Sequence, residues 1–213
     1  MSERPRRILL FGGTFDPPHL AHTRLPPIVA DQLGCFRILY IPATISPHKL
    51  EEPPTEVQHR LAMLTLALSD VPEAEICTLE LDRPGPSFTC DTLEALRREH
   101  GSGVTFRLLI GTDQALAFHE WENWPRVLEL AVPAVMVRPP LDKAAFSWQL
   151  RQAYDAEEAE RWLSWSVRVP AMEISSSEVR RRLLAGEDTA GLLDPTVAQY
   201  IAAHKLYTAV KQA

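Results

Sequence analysis

Cysteine is scarce in this chain, and long apolar runs are missing. The three cysteines among 213 residues, Cys35, Cys77 and Cys90, are odd in number and widely spaced, which argues against a disulfide framework or a zinc knuckle. No apolar run approaches the roughly 20 residues that a membrane span needs. Basic residues are not in excess either, since the net charge of -6 argues against a general nucleic-acid binder. We therefore expect a cytoplasmic protein with no nucleic acid and no membrane among its partners.

Several familiar nucleotide-binding and catalytic signatures are also missing. The chain contains no Gly-x-Gly-x-x-Gly dinucleotide fingerprint and no Gly-x-x-x-x-Gly-Lys-Ser/Thr phosphate loop. It has neither a His-Glu-x-x-His zinc motif nor a Gly-x-Ser-x-Gly nucleophile elbow. These gaps exclude the protein classes that depend on those motifs, so a bound nucleotide would need a different phosphate cradle.

Apolar runs of strand length alternate with segments of helical spacing along the chain. Alternation of this kind predicts βαβ units and a parallel sheet. We predict an α/β fold, a Rossmann-like doubly wound parallel sheet with a C-terminal helical appendage. The length suits a single domain over residues 1–213, of which 171–213 form the mostly helical part. The predicted strands cover residues 7–11, 37–41, 74–79, 105–110, 134–137 and 166–169, and the predicted helices cover 20–33, 56–69, 87–100, 144–161, 176–184 and 195–204.

Proline marks places where the chain is expected to depart from regular structure. Pro26 and Pro27 fall inside the first predicted helix, where a missing backbone hydrogen bond predicts a kink or a restart. The longest predicted loops, 42–55 and 79–87, are also rich in proline. Long loops in a compact domain often carry function, so both loops are candidate ligand-binding segments.

The most informative segment runs from Gly12 to His22. It places a glycine turn and two histidines where a buried strand ends and a helix begins. In open α/β sheets ligands bind at such junctions, and helix starts offer N–H groups that suit phosphate. His19 and His22 are three residues apart on the first turn, so both can point at one ligand. Taken alone, the pair is also compatible with half of a metal site or with chance.

A second helix start, near the other end of the chain, carries three hydroxyls and an arginine. Ser175, Ser176 and Ser177 precede an amphipathic run, and Arg180 falls on its first turns. Serine is a preferred N-cap, and hydroxyls, N–H groups and a guanidinium together suit a di- or triphosphate. For this segment alone, a capped surface helix with a basic face is the alternative. Beside the first motif we favour a second anion cradle.

Further candidates lie on loops and strand ends between these two motifs. Lys49 carries a positive charge on a proline-bounded loop. Gly111 and Asp113 follow a buried strand, where the carboxylate can hold a ribose hydroxyl or a metal, or cap the next helix. Trp121 lies in a charged setting and can stack on a flat ring or belong to the core. Arg138 follows the fifth predicted strand, so we expect it at the same carboxyl edge.

Motifs spread over nearly the whole chain occur in an order that one known family shares. They are Gly12-Gly13-Thr14-Phe15-Asp16-Pro17 with His19 and His22, Ile41-Pro42 with Pro47-His48-Lys49, Pro86-Ser87-Phe88-Thr89 with Thr92-Leu93, Ile110-Gly111 with Asp113, Phe118 with Trp121, Val137-Arg138-Pro139, Ile174-Ser175-Ser176-Ser177 with Arg180, and Tyr200-Ile201 with Leu206-Tyr207. The chain resembles the bacterial nicotinate-nucleotide adenylyltransferases, of the nucleotidyltransferase superfamily with the His-x-Gly-His signature. The first and last motifs mark the superfamily, and the middle motifs mark the nicotinate-nucleotide branch.

Three positions depart from the pattern of that family. Ala21 stands where the family usually has glycine, and because a methyl group is the smallest change, we expect binding to survive. Ser177 stands where threonine is common, and the hydroxyl is kept. Phe88 replaces a frequent tyrosine, which keeps the ring and loses one hydroxyl.

The resemblance implies a reaction and a role for each motif. The reaction is transfer of AMP from ATP to nicotinate mononucleotide, giving deamido-NAD and pyrophosphate in NAD biosynthesis. Mg2+ is implied as the companion of ATP, with no ligand from a protein side chain, and residues 171–213 would complete the ATP site. The implied catalytic residues are His19, His22, Lys49 and Arg180. The implied ATP-binding residues are Gly12, Gly13, Thr14, Phe15, Gly111, Asp113, Ile174, Ser175 and Ser176. The implied residues for nicotinate mononucleotide are Asp16, Ser87, Thr89, Trp121 and Arg138.

Other functions remain open at this point. A related adenylyltransferase using nicotinamide mononucleotide or pantetheine phosphate would share most of these motifs. A non-catalytic nucleotide-binding module is a further alternative, although such a module has no need for every donor to the reacting phosphates. A metal protein built on His19 and His22 lacks a convincing third ligand. Homo-oligomer formation is left open by the sequence.

Overall fold

A parallel sheet organises the chain in the computed structural model, which describes residues 6–44, 54–83, 85–138 and 141–208. Its strands are β1 (Arg6–Gly13), β2 (Arg37–Pro42), β3 (Ala74–Ile76), β4 (Val104–Gly111), β5 (Ala131–Val137) and β6 (Ser166–Arg168). They pair in parallel in the order β3-β2-β1-β4-β5-β6. From β1 the chain adds strands first on one side (β2, β3) and then on the other (β4, β5, β6), so a topological switch point lies between β1 and β4, which is where ligands bind in sheets of this kind.

Helices cover both faces of the sheet. They are α1 (Leu20–Leu33), α2 (Val57–Ala67), α3 (Thr89–His100), α4 (Thr112–Leu116), α5 (Trp124–Leu130), α6 (Lys143–Ala153), α7 (Ala156–Ser164), α8 (Ser176–Ala185) and α9 (Pro195–Ala203), with a short 3-10 helix at Phe118–Glu120. Alternate residues of β1 enter different cores: Ile8 and Leu10 pack with α3, α5, α6 and α7, whereas Leu9 and Phe11 pack with α1. Burial on both faces explains the continuous apolar run of β1. The predicted α/β fold with a doubly wound sheet is confirmed.

The C-terminal helices form a third apolar cluster against α2. Met63 on α2 packs with Val179 on α8 and with Val197 and Ile201 on α9. The cluster therefore attaches the predicted helical appendage to the outer side of a sheet helix. None of the described helices is both long and apolar enough to cross a membrane.

The prediction of one helix over residues 144–161 is wrong. Helix α6 ends at Ala153, the backbone at Tyr154 is extended, and α7 begins at Ala156. Asp155 causes the new start, because its Oδ1 accepts the N–H of Glu158 over 2.9 Å as an N-cap. The prediction also missed α4 and α5, two short helices between β4 and β5.

Helix α1 contains two prolines and still runs without interruption from Leu20 to Leu33. Of the predicted kink or restart, the restart is therefore wrong, and the kink stays a prediction. In a regular helix the N–H of residue 26 would donate to the carbonyl of His22, and Pro26 has no N–H. The hydroxyl of Tyr40, on β2, donates to that carbonyl instead over 3.0 Å. A strand side chain thus replaces the missing helical bond at the first turn of the helix.

Candidate active site

The segment Gly12–His22, called the signature segment below, leaves β1 at two glycines and turns into α1. The N–H of Ala43, just after β2, donates to the carbonyl of Gly13 over 3.0 Å and fixes the turn against the neighbouring strand. A Cβ on Gly13 would lie only 3.2 Å from the Phe15 ring, so glycine allows that ring to pack there. Phe15 is 2% exposed, whereas Gly12 and Thr14 remain accessible to a nucleotide.

His19 and His22 stack face to face at the start of α1. Their ring centroids lie 3.6 Å apart with 15° between the planes. The N–H of His19 points to Nδ1 of His22 over 3.3 Å, so Nδ1 is an acceptor and the proton of the neutral ring lies on Nε2. This Nε2–H is the donor that the neutral ring can offer to a ligand.

Both imidazoles are held in the neutral form. Burial lowers the pKa of His19 to about 4, and the positive charge of Arg138 acts in the same direction. Burial, His19 and Arg138 together lower the pKa of His22 well below its usual value. The pair therefore acts through neutral hydrogen bonds at pH 7, and the fixed positive charge beside it belongs to Arg138.

The ends of β4 and β5 bring an acid and a base next to each other. A Cβ on Gly111 would lie 2.5 Å from Oδ1 of Asp113 and 3.6 Å from an Nη of Arg138. The carboxylate therefore occupies the space directly over Gly111, which only glycine leaves open. Since Arg138 also influences both histidines, the structure places these predicted residues at one edge of the sheet.

The second motif lies directly against the first. Ser175 is the N-cap of α8, and its Oγ accepts a backbone N–H of that helix over 3.2 Å. Ser176 donates to the carbonyl of Pro17 over 2.9 Å, and Arg180 donates to the carbonyl of Asp16 over 2.8 Å. These two bonds join residues that are 159 and 164 positions apart in sequence, immediately before the histidine pair.

Two further contacts hold the C-terminal part in that place. The N–H of Leu20, the first residue of α1, donates to the carbonyl of Leu192 over 2.9 Å. Ile174 packs against both the α1 core and the C-terminal cluster. We call this set of contacts, together with those of Ser176 and Arg180, the C-terminal clamp.

Asp16 is buried, and each of its carboxylate oxygens accepts a hydrogen bond from the chain. The hydroxyl of Tyr207 donates to Oδ1, and the N–H of Thr55 donates to Oδ2 over 3.1 Å. Asp16 is 7% exposed. The structure therefore turns this predicted substrate ligand towards the protein and gives it two internal partners.

The remaining predicted substrate residues lie in a loop, at a helix start and just after the 3-10 helix. Ser87 accepts the N–H of Thr44 over 3.3 Å, which ties its loop to the end of β2. Thr89 is the first residue of α3 and is partly exposed. Trp121 stacks on Phe118 with ring centroids 4.7 Å apart and stays partly exposed. Lys49 lies outside the described residues.

Ala21, the departure from the family pattern, points away from the anion cradle. Its side chain is 4% exposed and belongs to the core that includes Phe15 and Leu25. The extra methyl group is therefore absorbed by apolar packing.

Arg60, on α2, is a site residue that sequence reasoning missed. It is 1% exposed and donates to the carbonyls of Thr14 and Ala43 over 2.8 Å, of Thr55 over 2.9 Å and of Thr44 over 3.4 Å. One buried guanidinium thus holds together the loops that follow β1 and β2. An arginine inside a helical pattern is ordinarily exposed, so no sequence signal marks it.

The donor set of the cradle suits phosphate better than a bare metal ion. It consists of imidazole, guanidinium, hydroxyl and backbone N–H groups, whereas Mg2+ prefers oxygen ligands. Among the described residues no group of three His, Cys, Asp or Glu side chains is placed to hold a metal. An anion cradle at the switch point of a doubly wound sheet defines a nucleotide-binding α/β protein.

Comparisons with known proteins specify this class further. The family profile described as cytidylyltransferase-like matches residues 10–182. A "Probable nicotinate-nucleotide adenylyltransferase" of Chromobacterium violaceum is 37% identical over 210 residues, covering 94% of this chain and 98% of the relative. A protein of the same name from Thermomicrobium roseum is 36% identical and covers 96% of this chain and 93% of its own. The chain belongs to the cytidylyltransferase-like family and, within it, to the nicotinate-nucleotide adenylyltransferases.

Solved structures agree with the fold. The Plasmodium falciparum nicotinic acid mononucleotide adenylyltransferase complexed with NaAD superposes with a TM-score of 0.69 at 20% identity, over 95% of this chain and 97% of that one. At this identity the likeness concerns the fold alone.

Proposed function

We propose that this protein transfers AMP from ATP to nicotinate mononucleotide, giving deamido-NAD and pyrophosphate in NAD biosynthesis. One observation carries the proposal: Ser176 and Arg180 bond to the same loop that leads into the stacked histidines. A triphosphate laid across this junction meets donors from both ends of the chain. The names of relatives 36% and 37% identical over nearly the whole chain support the same activity.

The reaction needs positioning and charge stabilisation and no covalent intermediate. A 5′-phosphate oxygen of the mononucleotide attacks the α-phosphorus of ATP, the bond from that phosphorus to the bridging oxygen breaks, and pyrophosphate leaves with the electron pair. His22 donates its Nε2–H to the α-phosphate, where negative charge accumulates. A neutral donor keeps its proton throughout the step, so no proton transfer at this ring is required.

The neighbouring groups divide into two subsites. The phosphates of ATP are held by His19, by the N–H groups after Gly12 and Gly13, and by Ser175, Ser176 and Arg180. The ribose of ATP is held by Gly111 and Asp113. Residues 171–213 complete this subsite. Arg138 takes the phosphate of the mononucleotide, and Ser87, Thr89 and Trp121 surround its pyridine ring. Lys49 is assigned to phosphate neutralisation on the basis of the family motif.

Mg2+ enters with ATP in this proposal. Because the cradle offers nitrogen donors and hydroxyls, the ion would be held by phosphate oxygens and water. It would neutralise charge on the β- and γ-phosphates and so favour departure of pyrophosphate.

Pyrophosphate release from ATP and Mg2+ tests the substrate assignment. Nicotinate mononucleotide, nicotinamide mononucleotide and pantetheine phosphate are offered separately, and kcat/KM is compared. We expect the nicotinate compound to be favoured by at least about tenfold, or ~1.4 kcal/mol. A preference for either other acceptor would contradict the proposal. Binding of ATP without pyrophosphate release with any acceptor would instead indicate a non-catalytic module.

His22→Ala tests the assigned donor. We expect kcat to fall at least about 100-fold, or ~2.7 kcal/mol, as for other donors to a developing charge. His22→Asn retains an acceptor near the Nδ1 position but loses the Nε2 donor, so a similar loss is expected. His204→Ala, at an exposed histidine after α9, is the control and should retain wild-type kcat. Near-normal turnover of His22→Ala would remove this ring from the mechanism.

A further inference from the structure

Tyr207 reaches the signature segment from beyond α9. Its hydroxyl donates to Asp16 although the two residues are 191 positions apart in sequence. Both Lys205 and Tyr207 have left-handed backbones, with φ of 51° and 55°. Such conformations cost energy in residues other than glycine and persist only where surrounding contacts maintain them. These two strained residues lie where the backbone turns the phenol ring of Tyr207 towards Asp16.

Asp16 depends on that hydroxyl because its carboxylate has left bulk water. One oxygen is satisfied by the Thr55 N–H, and the other by Tyr207. A buried carboxylate oxygen without a donor is strongly disfavoured, and pairing with a nearby positive group lowers its free energy. Two arginines lie near this pair: Arg60 influences Asp16 and Tyr207 electrostatically, and Arg180 influences Tyr207 and bonds to the main-chain carbonyl of Asp16.

The two arginines differ in how firmly they are held. Arg60 is buried and already donates to four carbonyls. Arg180 is partly exposed and donates to the main-chain carbonyl of Asp16 itself. A carboxylate released by loss of the phenol hydroxyl would therefore capture Arg180, the guanidinium assigned to the phosphates of ATP.

We propose that Tyr207 is a positioning residue that keeps the Asp16 carboxylate turned away from Arg180, so that this arginine faces the triphosphate. The inference rests on the proposed function and deepens it. It separates Asp16 from direct contact with substrate: the carboxylate acts through Arg180 on ATP, and the mononucleotide is unaffected.

Tyr207→Phe removes only the hydroxyl, and the chain supplies a matched control. Tyr200, on α9, also ties the C-terminal part to α2, because its hydroxyl bonds to Nδ1 of His59 at 2.9 Å. Tyr200→Phe therefore loses an equivalent tether without touching the signature segment. For both variants we would measure KM for ATP, KM for nicotinate mononucleotide, kcat, the midpoint of thermal unfolding and the Kd of ATP by calorimetry.

We expect Tyr207→Phe to raise KM and Kd for ATP about tenfold and to change KM for the mononucleotide less than twofold. Tyr200→Phe should leave all kinetic constants within twofold of wild type. If the two variants weaken ATP binding equally, Tyr207 serves only stability and the proposal fails. A rise confined to KM for the mononucleotide would also overturn it, because Asp16 would then contact that substrate.

A double-mutant cycle tests the route through Asp16. In Asp16→Asn the side chain carries no charge to capture Arg180, so adding Tyr207→Phe should raise the Kd of ATP less than twofold further. Multiplication of the two separate effects would refute the route. The Kd of ATP needs no turnover, so the cycle remains interpretable even if wild-type protein fails to adenylate nicotinate mononucleotide, the result that would refute the proposed function itself.

Discussion

Replacing Tyr40 by phenylalanine should destabilise the protein through the first turn of α1. The ring is fully buried, and its hydroxyl is the donor to the His22 carbonyl that Pro26 cannot supply. Loss of the bond costs about 1 kcal/mol, and leaving a carbonyl without a donor adds about 1 kcal/mol more. For a chain of this size, ~2 kcal/mol lowers the midpoint of thermal unfolding by about 4–8 °C.

Pro26→Ala provides the internal control for that prediction. Alanine restores an N–H at position 26, which can bond to the His22 carbonyl in the usual helical geometry. Tyr40→Phe should therefore cost about 1 kcal/mol less in the Pro26→Ala background than in wild type. Chemical denaturation of all four proteins gives the four free energies of unfolding. Equal costs in the two backgrounds would refute the view that Tyr40 replaces the bond that proline removes.

Two further predictions concern the anion cradle. Because the pKa of His19 is about 4 in the folded protein against 6.5 in the unfolded chain, the unfolded chain binds more protons between these values. The free energy of unfolding should therefore fall as pH decreases from 6.5 towards 4. In denaturant titrations at each pH, that of His19→Asn should fall by about 3 kcal/mol less than that of wild type over this interval. Equal falls in the two proteins would contradict the lowered pKa of His19. Gly111→Ala places a Cβ 2.5 Å from Oδ1 of Asp113, so we expect the Kd of ATP to rise about tenfold, or ~1.4 kcal/mol, in calorimetry. An unchanged Kd would remove the Asp113 carboxylate from the ATP subsite.

The sheet could be predicted from the sequence because its strands are buried on both faces. Ile8, Leu9 and Leu10 read continuously apolar for that reason, since neighbours along the strand enter different cores. Hydrophobic periodicity does not predict the break between two helices when both pack into the same core. Phe146 on α6 and Trp162 on α7 enter the same core, so only Asp155 between them signals the change of helix.

The candidate site residues that the sequence predicts are those whose own chemistry suits phosphate. His19, His22 and Arg180 carried that signal in short motifs, and the structure brings the two motifs together. The residues that support them carry no such signal. Tyr40 and Arg60 act on backbone carbonyls from other segments, and a sequence does not display which carbonyl lies opposite a buried side chain.

The C-terminal clamp has a consequence for the folding of the protein during its synthesis. The histidine pair leaves the ribosome long before Ser176 and Arg180 are synthesised, since 159 and 164 positions separate the joined residues. A nascent chain thus carries half of an anion cradle. The two motifs can therefore be joined only after α8 has been synthesised and has docked against the loop that precedes α1.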